Sequence, residues 1–295
     1  MNVIAENVNV MSRSLGPAMK NREAGPIHKM AEACEANGAV YLDLNIGPAR
    51  KGGPDLMDWL VKTVREAVKL PLYLDTTNMD AIEAGLKAHT DSDPRPVINS
   101  VSAVPARMEK LFPMVKQYGC EMVALLYGPD GIPRDENERG MLAAELLVKG
   151  MEFEVPNEDM WFDPIVVPVS SQQVQVGFCT NFMAMLPEIA PGAKSTCGLS
   201  NVSNGAPEKL RPILNQVYLC MLMHNGLSGA ILDGLDKDIL AIAKDPEHAM
   251  RKFVGRLMDG ETVDASSLSD EELKQYKTYK VLTNEALYSD SWLDL

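Results

Sequence analysis

Short apolar runs along this chain end repeatedly in a carboxylate or a carboxamide. Glu6 and Asn7 close the run 3–9, and Asp43 and Asn45 alternate with apolar residues in YLDLNIG. Asp75 and Asn78 follow LYL, Asn99 lies in PVINSVS, Asp163 follows WF, and Asp233 follows AIL. One further stretch, TCGLSNVSNG at 196–205, sets two carboxamides, Asn201 and Asn204, among small residues. Gly198, Ser200, Ser203 and Gly205 leave little side chain between the backbone and a flat ligand. The carboxamides donate and accept without carrying charge. Each residue has an ordinary reading taken singly. An Asp or Asn after a strand commonly caps the next helix, and Asn, Ser and Gly build turns. As a set they bring aspartates and amides together with no histidine among them.

Several chemistries lack their residues. None of the four histidines pairs with cysteine or aspartate at ligand spacing, so a metal site is not expected. No serine stands in a nucleophile elbow, and Lys194, at the start of an apolar run, is the one lysine near a strand end. Glycine-rich phosphate loops are absent as well. Carboxylates and amides without metal or nucleophile suit a heterocycle with adjacent N–H groups. A pterin is one: its 2-amino group and N3–H can donate together to one aspartate. Its ring nitrogens and carbonyl can be met by asparagines, and a wrong ring leaves those groups unpaired.

The positioning elements follow from periodicity. Eight β-like runs are read at 3–9, 40–46, 72–78, 96–102, 121–127, 161–169, 194–202 and 229–234. Between them the period lengthens to about 3.6. Leu56, Leu60, Val61, Val64 and Val68 form one stripe, Met108, Leu111, Phe112 and Val115 a second, and Leu210, Ile213, Leu214, Val217 and Met221 a third. Gly38, Gly119 and Gly226 fall where those helices should stop. Eight strand–helix units imply parallel strands closing into an α/β (β/α)8 TIM barrel, with an open doubly wound sheet as the competitor. The barrel is expected over 1–260, its last helix interrupted at Pro246. A short helical C-terminal extension over 261–295 follows, opened by a capping box at Ser269 and Glu272. Tyr276, Tyr279, Tyr288 and Trp292 should pack it on the barrel wall or on a dimer partner.

Composition excludes other classes. A formal net charge of −13 argues against nucleic acid and means that an anionic ligand needs a local exception to the global field. No apolar run approaches the ~20 residues of a membrane span, and the amino terminus MNVIAENVNV does not read as a signal peptide. Five scattered cysteines without a CxxC pair fit a reducing cytoplasm.

The segments LYLDTTN, INS, FDPIVVP and GLSNVSNG, in that order, with DLNIGPA, EAGL, EKLFP and RPILN, resemble the pterin-binding methyltransferase family. The likeness is strongest to methyltetrahydrofolate:corrinoid/iron–sulfur protein methyltransferases and runs from about residue 3 to 235. It implies a homodimeric barrel of anaerobic one-carbon metabolism. That barrel moves a methyl group between N5 of tetrahydrofolate (as 5-methyltetrahydrofolate) and the cobalamin of a separate corrinoid protein. By position it implies Asp75, Asn99 and Asp163 as ring ligands, Gly198 and Ser200 as pocket wall, and Asn201 at N5. Asp43 or Asp163 is the expected proton source through water. No Asp-x-His-x-x-Gly pattern occurs, so the corrinoid is expected on a partner. The alternatives are a dihydropteroate synthase-like enzyme, against which the last strand lacks an Arg-x-His, and a non-catalytic folate-binding barrel.

Overall fold

The computed structural model describes residues 1–294. Eight parallel strands form one sheet: β1 (Asn2–Asn9), β2 (Tyr41–Asn45), β3 (Leu72–Asp75), β4 (Val97–Ser102), β5 (Glu121–Leu125), β6 (Met160–Asp163), β7 (Lys194–Ser195) and β8 (Gly229–Leu232). Their order is β7-β6-β5-β4-β3-β2-β1-β8. The β7–β8 seam closes by fewer bonds. The Ile231 N–H donates to the Cys197 carbonyl at 2.8 Å. Ser195 and Ser228 each donate a backbone N–H to the other's hydroxyl, at 3.1 and 3.0 Å. Helices cover the outside, and the chain is a (β/α)8 TIM barrel.

The helical stripes bury as their spacing requires. Leu60, Val61 and Val64 are inside on Gly53–Ala67, and Met108, Leu111, Phe112 and Val115 on Pro105–Tyr118. Gly38, Gly119 and Gly226 have φ of 84°, 57° and 85°, the left-handed region where a side chain is disfavoured.

Period-two alternation turns Tyr41, Asp43 and Asn45 to one face of β2, and that face is the barrel interior. Its floor is an apolar plug of Ile4, Tyr73, Val97, Val123 and Trp161, with Tyr41 against it. Tyr41 meets Tyr73 and Trp161 edge-on at 5.4 and 5.5 Å, the geometry aromatic quadrupoles favour. Beneath, Glu121 accepts from the Trp161 indole and from Lys194, the latter at 2.8 Å. Lys194 is thus committed at the amino end of the barrel, away from the mouth. The plug leaves the carboxyl end as the way in.

Two strands are shorter than apolar content suggests. β6 stops at Asp163 instead of reaching 169. Pro164 and Pro168 have no N–H to give a sheet, and Ile165 turns left-handed at φ 63°. β7 keeps two residues, and Leu199–Ser203 coils into a 3-10 turn. The Ser- and Asn-rich sequence there satisfies its backbone locally. Asn201 therefore stands on a turn above the strand.

The last barrel unit has two helices, Lys237–Lys244 and Ala249–Met258, either side of Pro246. The helix Asp270–Leu282 opens with the capping box of Ser269 and Glu272. Gln173, on the sixth-unit helix Val169–Ile189, holds this extension. Its amide nitrogen donates to the Val281 and Ala286 carbonyls at 2.7 and 2.6 Å, and its oxygen accepts the Tyr288 N–H at 3.0 Å. The buried Trp292 indole donates to Thr278 at 3.1 Å. Among the described residues no helix is long and apolar enough to cross a membrane.

Candidate active site

Strand register builds the site. Asn45 lies opposite Asp75 across β2–β3, and Asp75 opposite Asn99 across β3–β4. Three residues far apart in sequence thus stand in one row at the carboxyl mouth. The Asn45 amide donates to Asp75 at 2.5 Å, and its oxygen is fixed by the Gly47 N–H at 2.9 Å. One layer below, Asp43 is 1% exposed and accepts from the Asn99 amide at 3.0 Å. Asp163, at the end of β6, faces the same mouth and accepts the Ile165 N–H at 2.8 Å.

Crowding acids in a half-buried mouth raises their pKa values. Burial first, and the Asp75 charge second, push Asp43 well above the carboxylate range, against the Asn99 amide. Burial and the neighbouring charge thus favour the protonated form of Asp43, whose carboxyl can share a hydrogen bond with Asp75. Burial raises Asp75 too, opposed by the bonds from Asp43 and Asn45. Asp163 is pushed up to about 7 by burial and then by Asp75, against the Ile165 N–H and the Arg139 charge. Glu6 also reaches about 7, through burial and the Asp233 charge, while the Ser200 hydroxyl and Arg211 pull it down.

That has a sign in solution. A carboxyl raised in the fold binds more protons folded than unfolded, so stability is greatest below the unfolded pKa and falls as pH rises through the folded one. For Asp163 and Glu6 the window runs from about 4 to about 7. The ligand-free protein should lose stability between pH 5 and 8. Asp163→Asn, which still accepts the Ile165 N–H, should remove a share on the order of 2 kcal/mol. Melting temperatures of both proteins across that range check it; parallel curves would show that Asp163 is not the strained acid.

Other polar strand ends have structural work. Asn7 donates to Asp233 at 2.7 Å and accepts the Gly234 N–H at 2.8 Å, joining β1 to the end of β8. Asn78 caps the helix Met79–Ala88 by accepting the N–H groups of Asp80 and Ala81.

The turn after β7 differs. The Asn201 side chain is exposed; its oxygen accepts from Asn204 at 3.3 Å, and its amide nitrogen has no acceptor among the described residues. That nitrogen lies 3.0 Å from where a Cβ on Gly198 would stand, so glycine there lets the amide lie flat on the backbone. Ser200 donates to Glu6 at 3.4 Å, linking the turn to β1.

Two arginines escape a strand-end reading because they lie in helices. Buried Arg139 donates to the Pro164 carbonyl at 2.9 Å, the Asp135 carbonyl at 3.1 Å and Gln175 at 2.9 Å, bracing the loop behind Asp163. Arg107 donates to the Thr77 carbonyl at 2.9 Å and the Ser100 carbonyl at 2.5 Å, tying the loop after β3 to strand β4. The five cysteines are buried and unpaired, and burial pushes the Cys34 thiol up to about 12. Among the described residues no group of three or more His, Cys, Asp or Glu side chains could hold a metal ion.

The carboxyl mouth of this TIM barrel thus gathers carboxylate and carboxamide acceptors, with the Asn201 amide nitrogen left without an acceptor on the turn after β7. The pterin binding enzyme model matches residues 6–233, and the chain belongs to that family. A methylcorrinoid:tetrahydrofolate methyltransferase of Eubacterium limosum is 27% identical over 245 residues, covering 81% of this chain and 88% of that protein. A methionine synthase of Mycobacterium tuberculosis is 26% identical over 91% of this chain, which spans 23% of that longer protein. Among solved structures, dihydropteroate synthase from Xanthomonas albilineans in complex with 7,8-dihydropteroate superposes with a TM-score of 0.58 at 17% identity. That match covers 83% of this chain and 94% of the synthase, and it is a likeness of fold.

Proposed function

We propose that this chain transfers a methyl group between N5 of tetrahydrofolate and the cobalt of a corrinoid carried by a separate protein. The observation that carries the reading is the row of Asn45, Asp75 and Asn99 at the carboxyl mouth, together with an Asn201 amide nitrogen, on the turn after β7, that has no acceptor among the described residues. The similarity to the Eubacterium limosum methyltransferase over most of both chains supports it.

In this reading Asp75 and Asp163 accept the ring's N–H groups, and Asn99 meets the heteroatoms between them. Gly198 and Ser200 form the wall beside N5, and Asn201 addresses N5 itself. Asp43 acts through Asp75 and Asn99, holding both in place. Transfer exchanges a carbon–nitrogen bond for a carbon–cobalt bond, or the reverse. N5 keeps the electron pair of the broken bond and gains a proton when it is the leaving group. The corrinoid supplies the metal that takes or gives the methyl group. This chain's residues hold the ring in line and stabilise the charge that changes at N5. Asn201 can donate to N5 or accept from its proton by rotating its amide, and adds no competing charge. Asp163, titrating near neutrality, can pass the proton through water.

The test mixes the purified chain with labelled 5-methyltetrahydrofolate and reduced cobalamin, and separately with tetrahydrofolate and methylcobalamin. Enzyme-dependent exchange of label between folate and corrinoid is expected. Folate binding without exchange, with free cobalamin and with corrinoid proteins alike, would leave a binding barrel and overturn the transferase.

A further inference from the structure

Asn201 stands at the end of a chain of side-chain hydrogen bonds that has a direction. Arg211 opens the helix Arg211–His224 and lies against the turn after β7. Its Nε donates to the Ser203 hydroxyl at 3.2 Å, and its Nη2 donates to the Asn204 side-chain oxygen at 3.5 Å. The buried Ser203 hydroxyl gives its own hydrogen to the Ser200 carbonyl at 3.1 Å. The Asn204 amide nitrogen donates to the Asn201 side-chain oxygen at 3.3 Å. Asn204 is itself anchored, its backbone carbonyl accepting the Ser170 hydroxyl at 2.9 Å.

A guanidinium carries donors and no acceptor, so the Asn204 atom that faces Arg211 is its oxygen. That leaves the Asn204 nitrogen for Asn201, and the Asn201 atom it meets is again the oxygen. Turning over either amide alone sets two donors, or two acceptors, face to face. The Asn201 nitrogen is what remains, with no acceptor among the described residues. Backbone bonds hold the turn; the side-chain bonds select which end of the Asn201 amide is offered.

We propose that Asn204, fixed by Arg211, is a positioning residue that holds Asn201 as a hydrogen-bond donor and so sets which form of the folate the site favours. The inference rests on the tetrahydrofolate reading above, which puts Asn201 at N5. In 5-methyltetrahydrofolate N5 has a lone pair and no hydrogen, so only a donor can meet it. In tetrahydrofolate N5 carries a hydrogen as well, and either end of an amide can meet it. A donor already in place strengthens its bond as N5 takes the electron pair of the leaving methyl group. Rotation of Asn201 to accept from N5–H costs the Asn204 bond. The arrangement therefore suits the methylated ligand, and an Asn201 turned over would suit the other.

Two substitutions at the exposed Asn204 test this. In Asn204→Asp the side chain keeps its shape and accepts at both oxygens, so it still meets Arg211 but now takes the Asn201 nitrogen. In Asn204→Ala the Asn201 amide is released to rotate. Dissociation constants for 5-methyltetrahydrofolate and tetrahydrofolate are measured with wild type and both variants, alongside melting temperatures. Asn204→Asp should move the affinity ratio toward tetrahydrofolate by about tenfold, the scale of one neutral hydrogen bond, and Asn204→Ala by about threefold. The added aspartate charge acts on both ligands alike and cancels in the ratio. Single-turnover demethylation should fall in the order wild type, Asn204→Ala, Asn204→Asp. A ratio that stays put or moves the other way overturns this inference alone, because a residue that only shaped the turn would shift both affinities equally. Unfolding of both variants does the same, since it would make Asn204 structural. A wild-type chain that binds neither folate overturns it together with the tetrahydrofolate reading.

Discussion

Asn201→Ala is expected to lose about 100-fold or more in single-turnover methyl transfer while folding normally, the loss characteristic of one preorganised donor at a site of changing charge. The ordinary alternative for an asparagine in this position is that it holds its turn. Its surroundings argue otherwise. The turn is held by backbone bonds, Asn201 N–H to the Gly198 carbonyl at 3.3 Å and Asn204 N–H to the Asn201 carbonyl at 3.2 Å, which alanine keeps. The side chain adds one 3.3 Å contact with Asn204 and is exposed. Its removal should change stability by about 0.5 kcal/mol, as surface substitutions do. Folate affinity should fall by less than the rate, because the contact at N5 grows in importance as the carbon–nitrogen bond changes. Melting temperature, folate dissociation constant and single-turnover rate on one preparation decide it. A stable variant with a normal rate would remove Asn201 from the chemistry.

Much of this was legible in the residues, and the reasons are local. In YLDLN the alternation of apolar and polar side chains identified a strand and also the face on which Asp43 and Asn45 lie, because strand geometry has one period. The stripe on Gly53–Ala67 fixed a helix in the same way. Boundaries failed where apolar residues were prevented from pairing. Val166 and Val167 are buried and apolar, yet the prolines around them and left-handed Ile165 end β6 at Asp163. Contacts between distant units were out of reach. Nothing near Asn7 indicates that its partner is Asp233, or that Gln173 holds the extension through Val281, Ala286 and Tyr288. Protonation was hidden as well. Asp43 and Asp75 have the same side chain, and the stronger upward push on Asp43 comes from burial and from the proximity set by the register of β2 and β3.

That distinction gives the second large effect, with opposite signs for binding and stability. Asp75→Asn should weaken binding of 5-methyltetrahydrofolate by about 10- to 150-fold, the equivalent of the ~1.5–3 kcal/mol carried by a hydrogen bond to a charged group. A carboxamide has one accepting oxygen and cannot take two ring N–H groups as a carboxylate does. Meanwhile the substitution removes the charge that raises both Asp43 and Asp163. The new oxygen can still accept from the Asn45 amide, so the row on β2–β4 keeps that link. The ligand-free variant should therefore melt at or above the wild-type temperature at pH 8, the usual trade between a strained site and stability. Near pH 5 the gain should shrink, because protons then relieve the same repulsion in the wild type. A residue kept for architecture would behave in the reverse way, lowering the melting temperature and leaving folate affinity per folded molecule intact. Titration calorimetry with thermal melts at the two pH values separates the cases, and a destabilised variant with wild-type affinity would place the ring elsewhere than against Asp75.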